Sequence, residues 1–179
     1  MRRLEIAELS LATLDALDVD AIAVLVGPER PLPGLGGLVD WRLAGALTRA
    51  LRAGLYGGAP GEALLLPTAG RLPVGRVVAI GLPSPDGLAD FARAARRACE
   101  VMVRAGATAF ATALPSVDGA ALPEVARAWL DAGAGLPSTR EVLLGDPRAL
   151  LEALGAARAA AGAAVELAAF PARPAAMVR

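Results

Sequence analysis

The side chains able to do chemistry in this 179-residue chain are few in kind. It has no His, Lys, Asn or Gln. An imidazole base, a lysine nucleophile and a carboxamide oxyanion donor are therefore missing together. Asp, Glu, Arg, Ser, Thr, Tyr56, Cys99 and the backbone remain. Ser116 and Asp118 have no base to complete a triad. Cys99 falls on the apolar side of a helical pattern, as a small hydrophobe does. No acidic cluster has metal-ligand spacing, so the sequence predicts no catalytic residue, no metal site and no cofactor.

The backbone is the better candidate. Pro31 to Gly54, PLPGLGGLVDWRLAGALTRALRAG, reads as a glycine-rich loop running into an amphipathic helix, just after an apolar strand. Free N–H groups at a helix start attract anions, and glycines let a ligand approach the chain. Gly34, Leu35, Gly36 and Gly37 are ligand-binding candidates on that ground. The same glycines also suit a loop that packs closely or needs positive φ. A second turn-forming loop, Pro115 to Gly119, adds Ser116, Val117, Asp118 and Gly119 as candidates. Asp40 reads as a solvated acid in the first turn of the helix, favourable to its dipole. Trp41 reads equally as core or as interface. Arg93, Arg96, Arg97 and Arg104 form a basic stripe on a later helix, either a solvated face or a contact for an acidic partner.

Composition frames these candidates. The chain is 55% hydrophobic but only 3% aromatic, so its core must come from Leu, Val and Ala. Its formal net charge is zero, which argues against nucleic-acid binding by bulk electrostatics. Zero net charge with high apolar content favours burial of surface in an oligomer. One cysteine excludes an internal disulfide and permits a reducing compartment. MRRLEIAELS has no long apolar region, and no apolar run reaches membrane-spanning length. The expectation is a soluble cytoplasmic protein.

Strands and helices alternate along the chain. Strands are predicted over 4–9, 21–26, 62–68, 76–82, 108–114, 141–144 and 165–170, with the 62–82 pair short-linked as a hairpin. Helical spacing runs over 11–17, and one long helix is predicted over 37–53, ended by Gly54. Pro83 to Asp86 reads as the start of a helix over 87–104, and a further helix follows over 122–132. Asp146-Pro147 is a strong start for a helix reaching about Ala161. This order predicts a single α/β domain over 1–170, with a mixed, mostly parallel sheet and helices on both faces. Residues 171–179 are expected to be a flexible tail.

The segment PLPGLGGLVDWRLAGALTRALRAG resembles the N-terminal domain of the leucyl aminopeptidases. The resemblance continues through GEALLLPTAGRLPVGRVVAIGLP and the Arg-rich helix 87–104, taking in most of residues 2–144. It implies a macrodomain-like fold. It also implies that peptide hydrolysis belongs to a separate C-terminal domain with a two-metal site. Nothing in this chain matches that domain, so the expectation is a stand-alone, non-catalytic module for interaction, assembly or regulation. Its expected partners are further copies of itself, a separately encoded peptidase or another protein. A looser similarity to ADP-ribose-binding macrodomains implies an alternative, a nucleotide-like ligand held by loops 33–37 and 115–119. The Asn-containing segment of hydrolytic macrodomains has no counterpart here.

Overall fold

A computed structural model describes residues 2–82, 87–137, 139–161 and 165–171. The expected helix start at 83–86 and the expected tail beyond Pro171 lie outside the described residues.

The chain begins with β1 (Arg2–Glu8), α1 (Leu11–Ala16) and β2 (Ala21–Val26). Next come α2 (Gly34–Arg42), α3 (Ala46–Arg52) and the hairpin of β3 (Ala63–Pro67) with β4 (Arg76–Gly81). Then α4 (Leu88–Arg104), β5 (Ala109–Thr112), α5 (Leu122–Ala132), β6 (Arg140–Gly145), α6 (Pro147–Ala161) and β7 (Val165–Ala169) complete it. The strands form one sheet in the order β3-β4-β2-β5-β6-β1-β7. Among the described residues only the β3–β4 pair is antiparallel. The expected macrodomain-like mixed sheet with helices on both faces is the architecture observed.

The period-2 geometry of the central strands explains the two layers. On one face Ala23, Val78, Ile80 and Phe110 pack under α4, α5 and α6 through Phe91, Met102, Trp129 and Leu154. On the other, Ile22, Val24, Val77 and Ala111 pack under α1, α2 and α3 through Leu14, Val39 and Leu47. Few aromatics are needed, because small Ala and branched Val let helices sit close to the sheet. Cys99 is buried, and burial pushes its thiol up to about 12.

Local chemistry sets the helix starts. Ser10 Oγ accepts a bond from Thr13 N at 3.1 Å, capping α1. Asp146 Oδ1 accepts from Ala149 N at 2.8 Å, as the Asp-Pro start of α6 predicts. Asp20 Oδ2 accepts from Thr108 N at 2.8 Å and Ala109 N at 3.0 Å, tying the chain before β2 to the start of β5. These two backbone bonds hold the Asp20 carboxyl below the usual carboxylate range.

The long helix expected over 37–53 is in fact two. Ala44 (φ 53°) and Gly45 (φ 78°) adopt left-handed conformations and end α2. The Asp40 carboxylate, expected to be solvated, instead accepts bonds from Leu47 N (2.9 Å) and Thr48 N (3.1 Å) at the start of α3. A sequence-remote acid caps the second helix, worth about 1 kcal/mol for such a cap. Periodicity alone missed the break, because Val39, Leu43, Leu47 and Ala50 stay buried on both sides of it.

Among the described residues three buried side-chain polar atoms have no partner, Arg42 Nε, Tyr56 Oη and Thr112 Oγ1, the last on a residue with no exposed surface. An unpaired buried hydroxyl costs about 1–3 kcal/mol. Thr112→Val should therefore raise the denaturant midpoint, with a gain of about 1 kcal/mol and an unchanged m-value. A loss of stability would mean that the hydroxyl has a partner, such as a water.

Candidate functional site

The six parallel strands all point their C-terminal ends to one edge of the sheet. Open α/β sheets bind ligands at that edge, where successive crossovers leave a central strand in opposite directions. Here β2 is that strand: the chain leaves it towards β3 and β4, then returns past it to β5. A pocket of about 450 Å³ lies there. Its walls come from the ends of five strands, through Leu9, Leu25, Leu82, Ala113 and Gly145.

Both glycine-bearing loops reach this pocket, but not whole. Gly34, Leu35 and Gly36 line it from the first, and Pro115 and Ser116 from the second. Gly37 does not; it lines a separate depression beside Asp40, Trp41 and Thr48. Val117 is buried in the core under α4 and α5. Asp118 and Gly119 lie outside the pocket lining, both exposed.

The first glycines are also not a loop before the helix. They are its opening turn, since α2 starts at Gly34 after the extended Pro33. Pro33 offers no side-chain cap to the helix. The N–H groups of the first turn have no intrahelical acceptors, which leaves them to solvent or ligand. Each glycine has its own reason. Gly34 sits at φ +51°, and a Cβ on Gly37 would lie 2.4 Å from the Leu32 carbonyl oxygen. Gly36 lies against Val24 Cγ1, where a Cβ would come within 3.4 Å. Packing and ligand access therefore coexist in one turn.

The pocket is mostly apolar, through Leu9, Val24, Leu32, Leu35, Leu114 and Leu144. Glu29 is the sole ionisable side chain among its described lining residues. The remaining polarity comes from the backbone and Ser116. Such a site can bind and orient; its described lining residues present no nucleophile-base pair. Among the described residues no group of three or more His, Cys, Asp or Glu could hold a metal ion. Glu29 and the leucines escaped the sequence reading. The rule that strand C-termini converge on the ligand would have found them once the strand order was known.

The other candidates lie elsewhere. Trp41 is 64% exposed, with the Arg42 guanidinium 5.2 Å from its ring. The basic stripe of α4 is partly consumed: Arg93 pairs with Asp90, and Arg96 donates to Glu100 and to the carbonyls of Ala132 and Ala134. At the opposite end of the sheet Arg2 and Glu141 form a buried pair that the sequence reading did not anticipate.

Fold and site together define a macrodomain-like α/β domain with a pocket at its switch point. The sequence matches the cytosol aminopeptidase family, N-terminal domain, over residues 23–136. The chain belongs to that family. No curated protein matches it. Among solved structures it is similar to the macrodomain of Mycobacterium tuberculosis DarG, with a TM-score of 0.63 and 15% identity, covering 81% of this chain and 99% of that one. A Trypanosoma brucei macrodomain in complex with ADP has a TM-score of 0.64 and 15% identity, over 86% of this chain and 69% of that one. A tomato leucine aminopeptidase mutant has a TM-score of 0.59 and 17% identity, over 90% of this chain. This chain spans 36% of that aminopeptidase. Among the described residues no helix is long and apolar enough to cross a membrane.

Proposed function

We propose that this domain is a non-catalytic binding module whose pocket takes a nucleotide or ADP-ribose-like ligand. The observation that carries the reading is the 450 Å³ pocket at the switch point, with the uncapped first turn of α2 and Ser116 in its wall. Its volume is within the range of small-molecule sites. A nucleobase suits the leucine-lined walls. Phosphate suits the N–H groups of residues 34–36, which carry the positive end of the helix dipole. The ADP complex of the Trypanosoma brucei macrodomain supports this choice of ligand by analogy of fold.

Titration calorimetry with ADP-ribose, ADP and adenosine tests it. Saturable heat from ADP-ribose or ADP is the expected result; none at millimolar ligand removes the reading. Glu29 is an exposed acid at the pocket and opposes an anionic ligand. Glu29→Gln should therefore tighten ADP binding by about 2–5-fold at low salt, and adenosine binding hardly at all. An equal change for both ligands would show that Glu29 acts by shape rather than charge.

A second reading, an assembly module in the cytoplasm, is favoured by a separate observation. Trp41, Leu55, Leu65 and Leu151 are large apolar side chains 56–76% exposed. Its candidate partners are a further copy of this chain or a separately encoded peptidase.

A further inference from the structure

We propose that two copies of this chain pair edge to edge through β3, antiparallel about a two-fold axis at Leu65. This deepens the assembly reading by naming its surface and partner, and it is independent of the pocket.

Among the described residues β3 is an edge strand, bonded only to β4. The flanking bonds fix which of its backbone groups are spent. Gly81 N donates to Glu62 O, and Thr68 N donates to Gly75 O. Both pairs belong to the register that sets Leu64 opposite Ala79 and Leu66 opposite Val77. In an antiparallel ladder such exchange alternates along the strand. Even-numbered residues therefore face β4, and Ala63, Leu65 and Pro67 turn their backbone groups outward. Leu64 and Leu66 pack their side chains against the core, whereas Leu65 is 60% exposed.

Edges are commonly protected by charge, bulges or covering elements. The segment ALLLP has no charge, and its register with β4 has no bulge. Among the described residues its sole protective device is Pro67, which removes one outward donor and leaves its carbonyl. The outward row thus reads donor and acceptor at Ala63 and Leu65, then acceptor alone at Pro67. That row complements itself. In the two-fold arrangement Leu65 of each copy exchanges both backbone bonds with its mate. Ala63 N–H of each copy meets the Pro67 carbonyl of the other, so the missing Pro67 donor costs little. With no charge on the strand, no like charges meet at the axis. A symmetric pairing also closes on itself and uses up both edges, whereas a head-to-tail one propagates.

Sedimentation equilibrium of the full chain, from micromolar to millimolar concentration, tests this. The wild-type chain should reach a reversible dimer. Leu65→Lys sets two cations face to face at the axis and should weaken dimerisation at least about 10-fold, with an unchanged thermal midpoint at concentrations where both chains are monomeric. Ala63→Pro removes only an outward donor and should weaken it by roughly 10–100-fold. Leu65→Cys in a Cys99→Ala background should give a disulfide-linked dimer on mild oxidation, because directly opposed residues lie within disulfide reach. A chain monomeric throughout would overturn both this proposal and self-assembly as a reading. A dimer that forms equally well in Leu65→Lys and Ala63→Pro, or that fails to cross-link through residue 65, would overturn the edge while leaving self-assembly standing.

Discussion

Replacing Glu141 with alanine should lower the unfolding free energy by about 3–5 kcal/mol, the cost of stranding one partner of a buried ion pair. Arg2 and Glu141 are 9% and 1% exposed, although 139 residues separate them in the chain. The guanidinium grips the carboxylate with two bonds, Nε to Oε1 at 2.5 Å and Nη2 to Oε2 at 2.8 Å. The carboxylate also accepts from Trp129 Nε1 at 2.9 Å and Thr139 Oγ1 at 2.7 Å. Arg2 Nη1 donates onward to the Leu130 carbonyl at 2.9 Å. The cluster therefore fastens β1 to β6 and to the end of α5. Burial disfavours the Arg2 cation, but its hydrogen bond and attraction to Glu141 outweigh that, and its pKa is raised. An arginine cannot escape by losing its proton. Without Glu141 it must remain buried and charged or pull out of the fold.

For a chain of this length such a loss lowers the thermal midpoint by roughly 6–20 °C. Thermal and urea unfolding followed by circular dichroism would measure it. Arg2→Met combined with Glu141→Leu removes both charges and should recover much of the loss, giving a strong coupling in the double-mutant cycle. A loss under about 1 kcal/mol for Glu141→Ala would mean that water reaches the pair and that it behaves as a surface bridge.

Gly81→Ala should cost about 3 kcal/mol or more, because the clash is with backbone and not with a side chain that can turn away. A Cβ at residue 81 would lie 1.9 Å from the Ala59 carbonyl oxygen and 2.7 Å from that of Gly58. The loop cannot retreat freely. Glu62 Oε2 holds it by accepting from Gly57 N at 3.0 Å and Ala59 N at 3.1 Å, and Gly81 N is itself bonded to Glu62 O at 2.8 Å. The next residue, Leu82, lines the pocket, so a shifted loop should also weaken whatever ligand the pocket takes. Gly75→Ala is the control: nothing stands within 4 Å of a Cβ there, and it should be nearly neutral. Equal stability of the two variants would show that the 57–61 loop adapts at no cost.

Legibility followed the range of the forces involved. The apolar run AIAVLV announced a central strand because burial on both faces tolerates no polar residue. Asp146-Pro147 announced the start of α6 because capping is a contact three residues long. The helix over 122–132 and the 62–82 hairpin were read from local period and turn chemistry. The break between α2 and α3 was hidden, since one apolar face continues across it and its cap, Asp40, lies in the preceding helix. Ser116 and Val117 are adjacent in the chain, yet one lines the pocket and the other the core. The path of the loop after β5 separated them, and composition does not hold it.

Residue order alone carried the alternation of elements, a core of small and branched side chains, a glycine-rich segment leading into a helix and the resemblance to aminopeptidase N-terminal domains. The place of those glycines in the first turn of α2 came from the fold. Composition also limited the available chemistry, because a chain without His, Lys, Asn or Gln must bind largely through its backbone. Tertiary structure alone decided the strand order, and with it the pocket at the switch point, the burial of Arg2 against Glu141 and the open edge of β3. Each of these joins residues far apart in the chain. Such contacts arise when the sheet assembles, and local periodicity carries no record of which strands will be neighbours.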